Sequence, residues 1–196
     1  NQCVISSNNY LSFNAANAGG YSGWNIGAAV PNNFDAPMNA ILCPWQDINP
    51  GIGGNIQYSL SGEAPNRVFT VTFCAIPMFS CTDICYTSQI KLFETSNIIE
   101  THISEKPLCA TWNDGAAIHA LHNNTGTIAN VVTGPDGIVR NFPNQWTALQ
   151  DGYRFTPNGP NDYTIEQIPY QPVITGNTVT WLDIDGNVVR SGSTLT

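Results

Sequence analysis

Apolar and polar residues alternate along the middle of the chain, most clearly between residues 55 and 104. In the segment 67–75, Phe69, Val71 and Phe73 alternate with small or hydroxyl-bearing residues. Side chains of a β-strand point alternately to its two faces, so this period of two predicts strands with one buried face. Turn-forming residues separate the alternating segments, and we therefore predict a four-stranded antiparallel meander from 55–60, 67–75, 89–94 and 98–104.

Shorter apolar segments outside the meander also predict strands. They cover residues 4–5, 10–13, 40–45, 116–122 and 152–156, whereas the Gly-, Asn- and Pro-rich stretch 14–37 predicts a long loop. Gly, Pro or Asn interrupts each stretch before a helix could complete three turns. The predicted fold class is therefore all-β: an antiparallel β-sandwich with long loops and almost no helix.

Turn formers cluster again at residues 157–162, and we place a domain boundary there. We assign residues 1–157 to a β-sandwich that lacks its first strands. Residues 158–196 are assigned to a linker and the opening strands of a second, immunoglobulin-like module. Within this tail, 178–184 and 187–190 predict a hairpin around Asp185-Gly186. We expect the strand partners missing from both parts to come from outside this chain segment.

Composition and charge exclude several partners. The net charge is −8 with only six Lys and Arg, so the basic patch that nucleic acids or anionic membranes require is missing. The chain contains no apolar run near the length of a membrane-spanning helix. It also opens without a signal peptide, which predicts a mature or excised piece. Only 10% of the residues are charged, and a surface of amides and hydroxyls suits an extracellular assembly.

All six cysteines lie within the first 109 residues, an even number that favours disulfides in an oxidising compartment. Extending the meander register places Cys109 beside residues 81–85 and Cys74 near Cys85. We therefore prefer the pairs Cys81–Cys109 and Cys74–Cys85, which leaves Cys3–Cys43, with Cys81–Cys85 as the main alternative. A zinc site at Cys81 and Cys85 is the rival interpretation, but no second close pair of ligands follows.

Catalytic signatures are weak, and we expect no enzymatic activity. The three histidines, His102, His119 and His122, are predicted to be surface or half-buried structural residues rather than partners of a nucleophile. Glycoside hydrolysis would need two carboxylates across a cleft. The candidates for such a pair are Asp47, Glu94, Glu100 and Asp114.

We expect neither a cofactor nor a metal ion. The run Asp183–Asn187 has oxygen ligands at the spacing of a calcium loop, but the closing Glu is absent and a hairpin turn explains the same residues. Aromatic side chains could offer stacking platforms for sugars, although in a sandwich they more often fill the core. Tyr21 and Trp24, in the Gly-rich loop, are the candidate ligand-contact aromatics.

Several segments, taken in order, resemble nidogen-like β modules of large secreted, multi-module surface proteins of Bacteroidota-type bacteria. They span roughly residues 3–157 and are Ala40–Pro50, Gly53-Gly54, Ala64–Phe69, Pro77–Cys81, Ser88–Glu94, Asn97–Glu100, Lys106–Cys109 and Trp112–Gly115. The tail is similar to the start of the immunoglobulin- or PKD-like repeats that accompany such modules. The resemblance implies an extracellular, structural or adhesive role with no catalytic residues to carry over.

The sequence thus predicts a non-catalytic module of a bacterial cell-surface protein. Its expected partners are other copies of itself, which could form a filament by strand sharing, or other modules of the parent protein. The alternative is a carbohydrate-binding module that contacts surface glycans through exposed aromatic residues.

Overall fold

The computed structural model describes residues 2–172 together with the backbone strands 179–182 and 188–192. Within this part of the chain the only helical segments are two short 3-10 turns, Ala15–Asn17 and Asn113–Gly115. The strands in chain order are β1 (Val4–Ile5), β2 (Tyr10–Ser12), β3 (Ala40–Trp45), β4 (Asn55–Ser61), β5 (Val68–Pro77), β6 (Cys85–Phe93), β7 (Ile99–Lys106), β8 (Ile118–His122), β9 (Ala129–Val131), β10 (Ala148–Pro157), β11 (Tyr163–Ile168), β12 (Val179–Leu182) and β13 (Val188–Gly192).

Two antiparallel sheets pack against each other, which confirms the predicted sandwich. The larger sheet has six strands in the order β11-β10-β7-β6-β5-β4, and the smaller has five in the order β1-β2-β3-β8-β9. Strands β4 to β7 form the predicted meander, with Val71 of β5 opposite Tyr58 on one side and Ile90 on the other. Strand β9 is an element that the sequence patterns did not predict.

Apolar residues fill two layers. The main core lies between the sheets and includes Leu11 and Ile41 of the smaller sheet and Val71, Ile90 and Phe155 of the larger one. A second layer lies on the outer face of the smaller sheet. There the long loop buries its own apolar residues, Ile26, Val30 and Ala36, against Leu42, Trp45 and Ile118. The long loop predicted from its Gly and Asn content therefore packs on the outer face of the smaller sheet.

The segment after residue 157 differs from its predicted assignment. Strand β11 pairs with β10 along its whole length, so residues 163–168 form an edge of the larger sheet. The backbone N–H of Gln171 then reaches Nδ1 of His102, at 3.3 Å. The expectation that the tail has no partner within its own chain is wrong for this part, because β10 offers an edge that β11 completes.

The predicted C-terminal hairpin is present as a two-stranded sheet. Val179 lies opposite Gly192 and Thr180 opposite Ser191. The candidate calcium ligands in Asp183–Asn187 lie outside the described residues.

The cysteine predictions are confirmed in one pair and wrong in the others. Cys81 and Cys109 form a disulfide, which excludes both Cys81–Cys85 and a zinc site at that pair. Cys3, Cys43 and Cys85 have free thiols, so the prediction that all six cysteines are oxidised is wrong.

Register explains both corrections. Strand β2 lies between β1 and β3, which separates Cys3 from Cys43 by roughly 10 Å across the sheet, beyond the reach of a disulfide. The β5–β6 pairing shifts between Phe73 and Ile76 and places Cys85 opposite Pro77, three residues beyond Cys74. The prediction assumed a regular ladder and therefore missed this bulge.

Candidate functional site: an apolar groove at the sheet edge

One row of apolar side chains crosses the inner face of the larger sheet. Leu60 lies opposite Phe69, Phe69 opposite Leu92, and Leu92 opposite Ile99, which in turn faces Phe155. The inner end of this row is sealed, since Phe155 is fully buried and Ile99 is 9% exposed. Toward β4 the row is no longer covered by the smaller sheet, and Leu60 is 60% exposed.

The uncovered end of the row forms a groove of about 630 Å³, here called the edge groove. Its lining residues are Gln2, Cys3, Phe13, Leu60, Arg67, Phe69, Leu92, Phe93, Glu94, Asn97, Ile98, Ile99 and Tyr163. On the side of the smaller sheet the lining consists of Gln2 and Cys3, which precede β1, and Phe13, which follows β2, so the inner face of β4 stays open. Tyr58, on the same face of β4, is 72% exposed.

Charges at the rim of the edge groove are paired. Arg67 donates from Nε to Glu94 Oε2 at 2.9 Å and from its guanidinium to Oε1 at 2.5 Å. These side-chain bonds, with a further bond from the Arg67 backbone N–H, lower the pKa of Glu94 to about 2. The pair therefore stays ionised at neutral pH and leaves the groove with no net charge.

A second cluster lies deep in the sandwich and contains charged residues that the sequence analysis did not single out. The buried guanidinium of Arg140 pairs with the carboxylate of Asp151 and lies over the Trp146 ring, with Cζ 4.4 Å from the ring centroid. Lys106 donates to the Trp146 carbonyl oxygen at 2.7 Å. Burial first, and then the nearby charge of Arg140, lowers the pKa of Lys106 to about 7.

His119 belongs to this buried cluster. Its ring lies between Thr101 Oγ1, at 3.0 Å, and the Arg140 guanidinium, at 3.3 Å. Desolvation, reinforced by Arg140, holds the pKa of His119 well below its ordinary value, so the ring is neutral. Arg140 and Thr101 connect His119 of the smaller sheet to Asp151 of β10 and to β7 in the larger one, so the cluster braces the two sheets.

All three histidines are more deeply buried than the sequence predicts. His102 and His119 are fully buried and His122 is 3% exposed, whereas surface or half-buried positions were expected. His102 is covered by the segment around Gln171, and its ring also contacts Tyr170 at 6.3 Å between centroids. The structural role predicted for all three remains an interpretation that fits these contacts.

Three of the four candidate carboxylates, those of Asp47, Glu94 and Glu100, have separate partners. Glu94 pairs with Arg67, and Glu100 accepts from Arg154 at 2.9 and 2.6 Å. Asp47 accepts from the indole N–H of Trp112 at 2.8 Å, while burial raises its pKa. Asp114 adopts a left-handed backbone, and its carbonyl oxygen accepts from Gln145.

The aromatic candidates for ligand contact have different environments. Tyr21 is 80% exposed, whereas Trp24 is half-buried against Trp112, with ring centroids 5.6 Å apart. Trp112 also contacts Phe79 at 4.9 Å, so the cluster lies beside the Cys81–Cys109 disulfide. A sugar-binding role for Tyr21 and Trp24 stays a prediction.

One free thiol, that of Cys43, lies inside the protein. Cys43 is fully buried, and burial raises its pKa to about 12, so it remains a protonated thiol that packs as a small apolar side chain.

Among the described residues, no group of three His, Cys, Asp or Glu side chains could hold a metal ion. No helix in the same part of the chain has the length and apolar character needed to cross a membrane.

The fold and its groove define a β-sandwich module. The chain belongs to the NIDO-related family, whose model matches residues 1–157. This membership indicates an extracellular module of nidogen-like type. No curated protein and no solved structure matches the chain.

Proposed function

We propose that this chain is a non-catalytic structural or adhesive module of the cell surface that joins other copies of itself by strand sharing at the edge groove. The observation that carries the proposal is the open end of the apolar row, where Leu60 and Tyr58 of β4 remain largely exposed. Contiguous exposed apolar surface on the inner face of a sheet is typical of an interaction site.

The backbone of β4 supports strand addition in particular. It pairs with β5 on one side and is the last strand of its sheet on the other. An edge strand presents unpaired N–H and C=O groups that can template a strand from another chain. A strand added there would satisfy these groups and would place alternate side chains beside Leu60 and Tyr58 on the same face of the sheet.

The donor that we propose is strand β12 of a second copy. Its sequence Val-Thr-Trp-Leu is apolar and suited to a strand, and in the described part of the chain it is hydrogen-bonded to β13 and to neither sandwich sheet. A two-stranded hairpin is marginally stable alone in water, so it gains from docking onto a larger sheet. Repetition from copy to copy would produce a filament.

The electrostatics of the rim also fit this occupant. An uncharged strand meets no unpaired charge in the groove, because Arg67 and Glu94 neutralise each other. The non-catalytic part of the proposal is supported by the separate partners of Asp47, Glu94 and Glu100 and by the burial of His119 within the sandwich.

Sedimentation velocity over a concentration series of the full chain tests this function. Leu60→Lys places a charge in the edge groove, and Leu149→Lys is a matched control, since Leu149 is 75% exposed on β10, away from the lining of the edge groove. We expect the wild type and Leu149→Lys to associate and Leu60→Lys to remain monomeric. A monomeric wild type, or equal association of both variants, would contradict the proposal.

A further inference from the structure

A second cavity, of about 430 Å³, lies where three turns of the sandwich converge, and it is here called the asparagine pocket. Its walls come from the ends of the long loop, from the β8–β9 turn and from the β10–β11 turn. Phe13, Asn39, His122, Asn124, Asn161 and Tyr163 are the lining residues that matter for its chemistry.

Hydrogen bonds between the turns hold these walls in place. The backbone N–H of Asn39 donates to the Asn123 carbonyl oxygen at 3.0 Å. Asn130 connects β9 to the β10–β11 turn, since its Nδ2 donates to the Asn161 carbonyl oxygen and its Oδ1 accepts from the Tyr163 N–H, both at 3.2 Å. A pocket whose walls are fixed in this way loses little conformational entropy when a ligand binds.

Polar groups of the pocket remain available. The side chains of Asn39, Asn124 and Asn161 make no hydrogen bond within the described residues, and each amide offers two donors and an acceptor oxygen. His122 Nδ1 lies 2.9 Å from the Pro37 carbonyl oxygen, which can only accept, so Nδ1 carries the proton. The other ring nitrogen, Nε2, is a buried acceptor with no partner among the described residues.

The lining selects against charged ligands. It contains no Asp, Glu, Lys or Arg, so an ionic group in the pocket would lose hydration without gaining a counter-charge. Phe13, which is 41% exposed, and the half-buried Tyr163 supply apolar faces beside the amides. Aromatic faces combined with several neutral hydrogen-bonding groups suit a ligand that has hydroxyl groups around an apolar C–H face.

We propose that the asparagine pocket binds a neutral saccharide. The sugar ring stacks on Phe13, and its hydroxyl groups bond to the free amides of Asn39, Asn124 and Asn161. The volume falls within the range of small-molecule sites. This pocket is distinct from the Tyr21 and Trp24 positions predicted from the sequence, and it does not depend on strand sharing.

Titration of the isotope-labelled full chain, followed by ¹H–¹⁵N correlation spectra, tests the pocket. The probes are glucose, galactose, mannose, N-acetylglucosamine and, as an anionic comparison, sialic acid. We expect at least one neutral sugar to bind at millimolar concentration and to shift the amide signals of residues 122–124 and 161. No binding by any neutral sugar, or binding of sialic acid alone, would overturn the proposal.

Two variants and a matched control sharpen the test. Phe13→Ala removes the stacking face and should weaken binding about fivefold to tenfold, and Asn124→Ala should weaken it by a similar factor. Phe34→Ala is the control, because Phe34 is 74% exposed and does not line the pocket. Equal affinity in all three variants would place the sugar elsewhere and overturn the proposal. Leu60→Lys should bind the sugar like wild type, which separates this result from the outcome for self-association.

Discussion

Leu60 of β4 lies directly opposite Phe69 of β5, yet 60% of Leu60 remains exposed on the face that is sealed farther along the same row. The difference arises because the smaller sheet ends in the two-residue strand β1 and does not reach β4. Removing an apolar side chain from water is favourable, so burying Leu60 under a partner would contribute on the order of 1 kcal/mol to the free energy of association. This relationship is the physical basis of the proposed strand sharing.

Salt should strengthen self-association. Each copy has a net charge of −8 at neutral pH, so two copies repel at low ionic strength, whereas the proposed contact is apolar. We expect the dissociation constant from sedimentation velocity to fall when sodium chloride rises from low to physiological concentration and above. A dissociation constant that rises with salt would indicate a contact dominated by ion pairs.

Removal of the disulfide should lower stability substantially. Cys81 and Cys109 are separated by 28 residues, and closing such a loop is worth about 3.5 kcal/mol on the chain-entropy model. The double variant Cys81→Ser, Cys109→Ser should therefore lose about this much free energy of unfolding in urea titrations. Cys85→Ser is the control, since Cys85 is an exposed free thiol and its replacement should change little.

Breaking the buried ion pair should be more costly than breaking an exposed one. Asp151→Asn leaves the guanidinium of Arg140 buried without its counter-charge, which typically costs about 3 to 5 kcal/mol. Glu94→Gln removes the partner of the exposed Arg67 and should have a much smaller effect in the same unfolding experiment. Similar losses in the two variants would show that the Arg140–Asp151 pair is not the brace inferred here.

Stability should depend on pH through Lys106. Its pKa is about 7 in the folded chain but near 10.5 when unfolded, so between these values the unfolded state holds a proton that the folded state has released. This group therefore makes the free energy of unfolding rise as the pH increases from about 7 to 10. The unfavourable contribution is fully present below pH 7.

Lys106→Met should remove this contribution. The difference in unfolding free energy between Lys106→Met and wild type is expected to shrink as the pH increases over that window, by at most about 1.4 kcal/mol per pH unit. Taking the difference cancels the other titrating groups. Parallel stability curves for the two proteins would contradict the lowered pKa.

Alternation was sufficient to predict the meander, because the apolar residues that alternate along β5 and β6, such as Val71, Phe73 and Ile90, are the ones that pack in the core. It could not reveal Arg140, Asp151 and Lys106, since charged residues in a pattern are assigned to solvent and their burial depends on partners distant in sequence. The bulge near Ala75, which displaces Cys74 from Cys85, likewise has no local signal. The turn formers at 157–162 predict a module boundary, whereas in the structure they connect β10 to β11 in a hairpin.

Neither pocket could be located from the sequence. Phe13 follows β2 of the smaller sheet and Leu60 lies on β4 of the larger one, so their approach depends on how far each sheet extends. The asparagine pocket draws Asn39, Asn124 and Asn161 from three separate turns, and in so Asn-rich a chain no one of them stands out.

Strand sharing at β4 can be tested by amide hydrogen exchange of the full chain, measured at increasing protein concentration. We expect exchange of the β4 amides, residues 55–61, to slow as copies associate, while the amides of β11 at the opposite edge of the same sheet keep a constant rate. In Leu60→Lys the exchange rates of the β4 amides should be the same at every concentration. If exchange in β4 is independent of concentration, or if β11 is protected in its place, strand sharing at the edge groove is wrong.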